Sequence, residues 1–217
     1  MDIIGYVIKY AQSWLKESEI IDGGSRQTLI PISFCFYLLI TPGRYILVDA
    51  GCDGLSAFEF SQFVRPDIAL GAVGVKPEQI TDIVITHHHR DHMQGILHYK
   101  NAVSYMTKET YQQGKDFIPQ GMRVKTFENI YILQEGIRVV QNGGHCPGSA
   151  FVEIQTGDKT HILAGDECYT NQNIEKQLVS GAYFDKAQAK RFVETYSGNT
   201  YVVHTCHDIT LKTERIL

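Results

Sequence analysis

The stretch DIVITHHHRDHMQG, residues 82–95, decides how the rest of the chain is read. Its first five residues are a short β-branched run, the signature of a buried strand. Four histidines and an aspartate follow within six positions. In an extended segment alternate side chains share a face, so His87 and His89 point one way and His88 the other. Asp91 and His92 then fall where the chain turns into a loop or short helix, and Gly95 relieves crowding there. An exposed His-rich turn would account for three bare histidines. The pattern His-x-His-x-Asp-His at a strand end is more demanding, and it suits a borderline cation such as zinc.

Working outward, three later segments repeat the same arrangement of strand end and turn. GGHCPGS (143–149) carries His145 among small residues that let the backbone approach a cluster closely. LAGDECYT (163–170) carries Asp166 directly after an apolar strand. VVHTCHDI (202–209) carries His204 and His207. Four strand ends that each deliver His or Asp point to a shared metal centre.

Short β-rich runs recur along the chain: 3–10, 33–40, 44–49, 82–86, 102–106, 137–141, 150–155, 160–164 and 200–204. TGDK joins the pair 151–155 and 160–166, a hairpin signal of the longer-loop kind. Helices are expected over 55–64, 77–80, 107–113 and 185–196, the last with Phe184, Ala187, Phe192 and Tyr196 near one face. No repeat, low-complexity tract or linker breaks the chain, so residues 1–217 are expected to form one mixed α/β domain with helices outside two sheets or one long curved sheet.

Composition narrows the function. The 217 residues are 43% hydrophobic and 20% charged, an ordinary globular balance, and the formal charge of −4 gives no electrostatic reason to expect nucleic acid. No apolar run is long enough to span a bilayer, and the start MDIIGYVIKYAQSW is not a convincing signal peptide. Five scattered cysteines, an odd number with no C-x-x-C pair, suggest a cytoplasmic chain with reduced thiols. Cys146, Cys168 and Cys206 neighbour the candidate segments and are taken as packing residues. His98 and His161 lack any ligand pattern. Gly143-Gly144 has no downstream Lys-Ser/Thr, so it is no phosphate loop.

From about Ser33 to Asp208 the chain resembles the metallo-β-lactamase superfamily. The resemblance rests on His87-x-His89-x-Asp91-His92, then His145, Asp166 and a late histidine, with YILVDAGCD (45–53) supplying Asp49 as a supporting residue behind the site. It implies an αββα sandwich of two mixed sheets flanked by helices. It further implies two metal ions, zinc first and iron, manganese or cobalt as alternatives. His87, His89 and His145 would hold one; Asp91, His92 and the late histidine the other; Asp166 would bridge them. His207-Asp208-Ile209 is similar to the closing segment of the N-acyl-homoserine lactone lactonases, which favours His207 over His204. The same branch has a tyrosine three residues after its bridging aspartate, here Tyr169, beside the substrate carbonyl, and its early strand is similar to IPISFCFYLLI (30–40).

The implied function is binuclear hydrolysis of a lactone or ester, attacked by a metal-bridging hydroxide with Asp91 and Tyr169 as catalytic groups. The expected partner is a small-molecule substrate, with no nucleic acid and no membrane, and quorum quenching is the expected setting; an oligomer is compatible with the sequence. Two departures stand out. The segment between Asp49 and Asp82 is compact where such lactonases carry acyl-binding insertions, and Arg90 replaces a more usual small or apolar residue. Arg90 could meet a substrate carboxylate or sit in solvent. The alternatives are a glyoxalase II-like thioesterase, whose basic C-terminal extension has no counterpart after His207, and a mononuclear iron dioxygenase acting on persulfides. The flavodiiron type places Glu where His89 stands.

Overall fold

The computed structural model describes residues 3–56 and 58–217. Two mixed sheets pack face to face. The first orders seven strands as β12-β1-β2-β3-β4-β5-β6, and the second orders five as β11-β10-β9-β8-β7. The first six strands are β1 (Ile4–Lys16), β2 (Leu29–Thr41), β3 (Arg44–Val48), β4 (Asp82–Val84), β5 (Val103–Thr107) and β6 (Arg123–Phe127). The remainder are β7 (Ile130–Gln134), β8 (Ile137–Gln141), β9 (Ala150–Thr156), β10 (Lys159–Leu163), β11 (Tyr201–His204) and β12 (Glu214–Arg215). The helices are α1 (Glu17–Ile20), α2 (Pro66–Ala69), α3 (Arg90–Met93), α4 (Lys108–Gly114), α5 (Asn171–Glu175) and α6 (Lys186–Tyr196).

Strand periodicity builds the layers. Along β2, Cys35, Tyr37 and Leu39 face the second sheet and meet Val139, Val152, Ile154 and Leu163. The alternate residues Phe34, Phe36 and Leu38 face outward, under a layer that includes Leu70, Ile80, Met93 and Ile96. On the far side of the second sheet Phe151 and Ile162 pack against Phe192 and Val193 of α6. β2 is therefore buried on both faces, which is why its sequence is a near-continuous apolar run. This is the expected two-sheet sandwich with helices outside.

The differences have physical causes. No helix forms over 55–64 among the described residues. Ser61 and Gln12 exchange both backbone hydrogen bonds at 2.8 Å, and the Val64 amide donates to Tyr10 O, also at 2.8 Å. The segment is held along β1 while Phe58 and Phe60 pack on Phe34. α6 buries Ala189, Phe192 and Val193, whereas Phe184 is 66% exposed, so the expected apolar face is rotated. The β9–β10 hairpin is tighter than expected, because Thr156 and Lys159 pair directly across Gly157-Asp158, with Gly157 at φ +56°. β6 and β7 are additional to the expected strands, each the edge strand of its sheet; β6 (RVKTF) has polar outward positions, while β7 (IYILQ) is an apolar run with Ile130 and Ile132 exposed. β12 has two residues and is defined only by pairing with β1. The five cysteines are buried and unpaired. No helix among the described residues is long and apolar enough to cross a membrane.

One ion pair ties β3 to β4. Arg44 Nη2 lies 2.6 Å from Asp82 Oδ1 and its Nε 3.0 Å from Oδ2. Burial alone would raise the Asp82 carboxyl, but the Arg44 guanidinium and Thr81 hydroxyl outweigh it and hold it below its usual range. Arg44→Ala is expected to cost about 2 kcal/mol, less than a fully buried pair because the arginine side chain is 25% exposed. The sign follows from the lowered value. The contribution is complete above the unfolded carboxylate value near pH ~4 and is lost as pH falls through the folded one. Urea unfolding of both proteins at neutral and acid pH should show the gap closing in acid.

Candidate metal centre

Five strand ends meet at one edge of the sandwich. β3 ends at Val48 and delivers Asp49. β4 ends at Val84 and runs into the histidine segment. The β8–β9 connection carries His145. The parallel neighbours β10 and β11 end just before Asp166 and His207. The sheets are stitched here, since the Ala150 amide of β9 donates to Thr86 O at 2.9 Å. Gly95 is required: a methyl group there would sit 2.1 Å from Ala50 O.

The sequence-derived residues converge. Donor atoms of His87, His89, His145 and Asp166 lie within 4.8 Å of one another, and so do those of His92, Asp166, Cys206 and His207. Asp166 belongs to both groups. Asp91 stands beside the second, its Oδ2 3.4 Å from His92 Nε2 and 3.7 Å from His207 Nε2. His88 points away, toward Cys146 Sγ at 3.7 Å. His204 is not at the site. It pairs with His161 at 2.9 Å, and burial lowers its pKa to about 4.

Which nitrogen faces the centre is set from behind. His145 Nδ1–H donates to Ala182 O at 2.7 Å, and His207 Nδ1–H donates to Ser33 O at 2.9 Å. His92 Nδ1–H donates to Asp49 Oδ2 at 2.8 Å. His87 Nδ1 contacts Thr86 Oγ1 at 3.0 Å, and that hydroxyl bonds Asp49 in turn. Each Nε2 is thereby left with an inward lone pair, the arrangement that outer hydrogen bonds impose on metal-binding imidazoles. Asp49 adopts φ +64°, an unusual conformation for a non-glycine residue, while its carboxylate collects the Thr86 amide, the Thr86 hydroxyl and His92.

These residues fit a bound cation. Among the described residues the buried Nε2 atoms of His87 and His92 have no hydrogen-bond partner. His89 Nδ1 and His145 Nε2 face each other at 3.0 Å. Imidazole nitrogens and carboxylates gathered at this spacing need positive charge among them, from protons or from a cation. The electrostatics agree. Burial opposes charge on His92, yet Asp166, Asp91 and Asp49 raise it well above the usual imidazole value. Burial would raise Asp166, yet His92 and His207 hold it well below the carboxylate range. His87, buried beside His92, is pushed well down and stays neutral.

A cleft of about 380 Å³ opens onto this cluster. His89, Asp91, His145, Asp166 and His207 line its polar end, with Tyr169 beside them. Leu15, Ile32, Phe34, Leu55 and Phe58 form an apolar wall. Leu55 and Phe58 come from the compact segment after Asp49, so that segment does supply wall. The Tyr169 ring stacks on His207, with centroids 5.1 Å apart. Burial, then Asp166 and Asp91, keep its phenol protonated well above the usual range.

Two contacts were missed by sequence reasoning. Cys206, read chiefly as a packing residue, has its Sγ 3.1 Å from both Asp166 Oδ1 and Gly165 O, and its single S–H is shared between the two acceptors. Glu167 is 1% exposed and accepts from the Ser149 hydroxyl and from Asn142 Nδ2 at 2.5 Å, tying the His145 loop to the Asp166 turn. A methyl at Gly144 would lie 2.4 Å from that carboxylate, so the small residues there serve close approach, as expected. The only sequence signal for Glu167 was its place beside Asp166.

Residues 32–185 match the family described as the Metallo-beta-lactamase superfamily. An N-acyl homoserine lactonase from a Bacillus species is 28% identical over 83% of this chain and 83% of its own length. One from Bacillus cereus is 25% identical over 94% of this chain and 92% of its own. The crystal structure of a quorum-quenching N-acyl homoserine lactone lactonase superposes with a TM-score of 0.82 at 26% identity, covering 96% of this chain and 94% of that one.

Proposed function

Because the chain belongs to the metallo-beta-lactamase superfamily, we propose that it is a binuclear metal hydrolase of lactones or related esters, with residues 1–217 acting as one domain. The observation that carries this reading is the ring of inward-facing imidazole nitrogens around Asp166, at the polar end of a half-apolar cleft. His87, His89 and His145 would hold one cation, and Asp91, His92 and His207 the second, with Asp166 shared. Zinc is the expected metal, given the imidazole-rich donor set. Bound there, the two cations would lower the pKa of a water to about 7 and polarise a carbonyl.

The chain's own residues do the rest. Asp91 lines the cleft beside the second group and can take up the proton of the attacking water. Tyr169, kept as a neutral phenol, can donate to the oxygen that gains charge as the carbonyl becomes tetrahedral. The apolar wall receives the acyl body and excludes water from the reacting end. The lactonase names of the relatives favour a lactone over a thioester.

The test is a panel of N-acyl-homoserine lactones, simple γ-lactones, thioesters and phosphodiesters offered to zinc-loaded protein. Lactones should turn over fastest and a chelator should abolish the activity; preference for thioesters or phosphodiesters refutes the reading. Tyr169→Phe is expected to lower kcat about 10- to 100-fold with metal content unchanged. A Phe variant at full rate removes Tyr169 from the mechanism.

A further inference from the structure

Arg90 is the one departure in the histidine segment that faces the cleft. It opens α3, is exposed, and lines the same cavity as its neighbour Asp91. Arg44, Arg65 and Arg138 each pair with a carboxylate. Among the described residues no carboxylate lies within ion-pair reach of Arg90. Its guanidinium instead rests over the Phe117 ring, 5.8 Å from the centroid. An aromatic face of this kind steadies the guanidinium plane and leaves its N–H edge free. Asp91 and Asp166 belong to the proposed metal groups, and Glu19, which also lines the cleft, already accepts the Lys16 amide at 3.2 Å. The lining of the cleft thus includes a guanidinium with no counter-ion of its own among the described residues, in a cavity that also holds the candidate metal ligands and an apolar wall.

We propose that Arg90 is a specificity-determining residue that selects lactones carrying a second, free carboxylate close to the scissile carbonyl. The inference rests on the hydrolase reading above and deepens it. A planar guanidinium matches a carboxylate with two parallel hydrogen bonds, which an acyl chain alone cannot use. Arg90 and Asp91 line the same cleft, so a carboxylate held by Arg90 belongs to the same small substrate as the carbonyl presented to Asp91.

A matched pair of substrates tests this: 5-oxotetrahydrofuran-2-carboxylate and its neutral carboxamide, each given to zinc-loaded protein. Wild type should prefer the carboxylate by about tenfold in kcat/KM, the scale of a charge-assisted pair at a partly exposed site. Arg90→Ala should erase that preference by raising KM for the carboxylate about tenfold more than for the carboxamide. Arg90→Lys should restore part of it, and added salt should weaken it in wild type alone. Calorimetric binding of 2-hydroxyglutarate, the ring-opened product, gives a readout independent of turnover, with about tenfold weaker binding expected in Arg90→Ala. Equal preference in wild type, a preference that survives Arg90→Ala, or unchanged product binding overturns the proposal. Hydrolysis of the carboxamide without charge preference sinks only the role of Arg90; hydrolysis of neither lactone, nor of any in the panel above, sinks the hydrolase reading itself.

Discussion

Asp166→Ala is expected to yield protein that retains almost no metal and turns over no lactone, a loss of at least about a thousandfold. The reason is its double position. One carboxylate oxygen lies 3.6 Å from His87 Nε2 and 3.5 Å from His145 Nε2, and the other lies 3.2 Å from His92 Nε2 and 3.3 Å from His207 Nε2. Removing it takes the shared anion from both groups and leaves the histidine lone pairs facing a space without negative charge. The remaining donors cannot offset two dications with Asp91 alone. Elemental analysis of purified variant and wild type, with circular dichroism to confirm folding, checks the result. A folded variant carrying two metal equivalents would remove Asp166 from the site.

Asp49→Asn should produce the second-largest effect, although Asp49 is no donor to the proposed metals. Its carboxylate fixes the His92 tautomer by accepting from Nδ1–H. An amide oxygen can still take the Thr86 amide and hydroxyl, but the amide NH2 then faces His92 Nδ1. The imidazole must present its lone pair outward and its N–H inward, toward the metal position. Losing the hydrogen bond behind a metal-binding imidazole costs about 10- to 100-fold in metal affinity. The loss is expected in the group that contains His92, so competition with a chromogenic chelator should resolve one weakened and one nearly unchanged equivalent. Two unchanged equivalents would show that Asp49 does not set the tautomer. Asp49→Ala adds a stability penalty, because the buried Thr86 amide and hydroxyl lose their acceptor.

Much of the site was legible because its residues stand at strand ends, and strand ends are written locally. DIVIT followed by His-x-His-x-Asp-His encodes both the strand and the turn after it, and His87 and His89 share a face as period-two alternation requires. The helix expected over 55–64 failed because the aromatic positions Phe58 and Phe60 suit a segment laid along β1, and backbone bonding to Gln12 and Tyr10 outweighed local helix propensity. The edge strand β6 was hard to read because pairing on one side only leaves Arg123 and Lys125 free to be polar, whereas β7 is an apolar run whose strand signal was legible in IYIL and was not among the expected strands.

The candidate donor residues and the two-sheet sandwich were readable from the chain alone, since ligand chemistry and strand alternation reside in residue types and their spacing. Packing separates the two late histidines physically, in the sense the resemblance favoured: His204 pairs with His161, whereas His207 lies against Ser33 O and Asp166 in the cluster. Only the tertiary structure decided the tautomers, the contact of Cys206 with Asp166, and the exposure of Arg90 to the cleft. Those properties depend on atoms brought together from distant parts of the chain, and no local pattern records them.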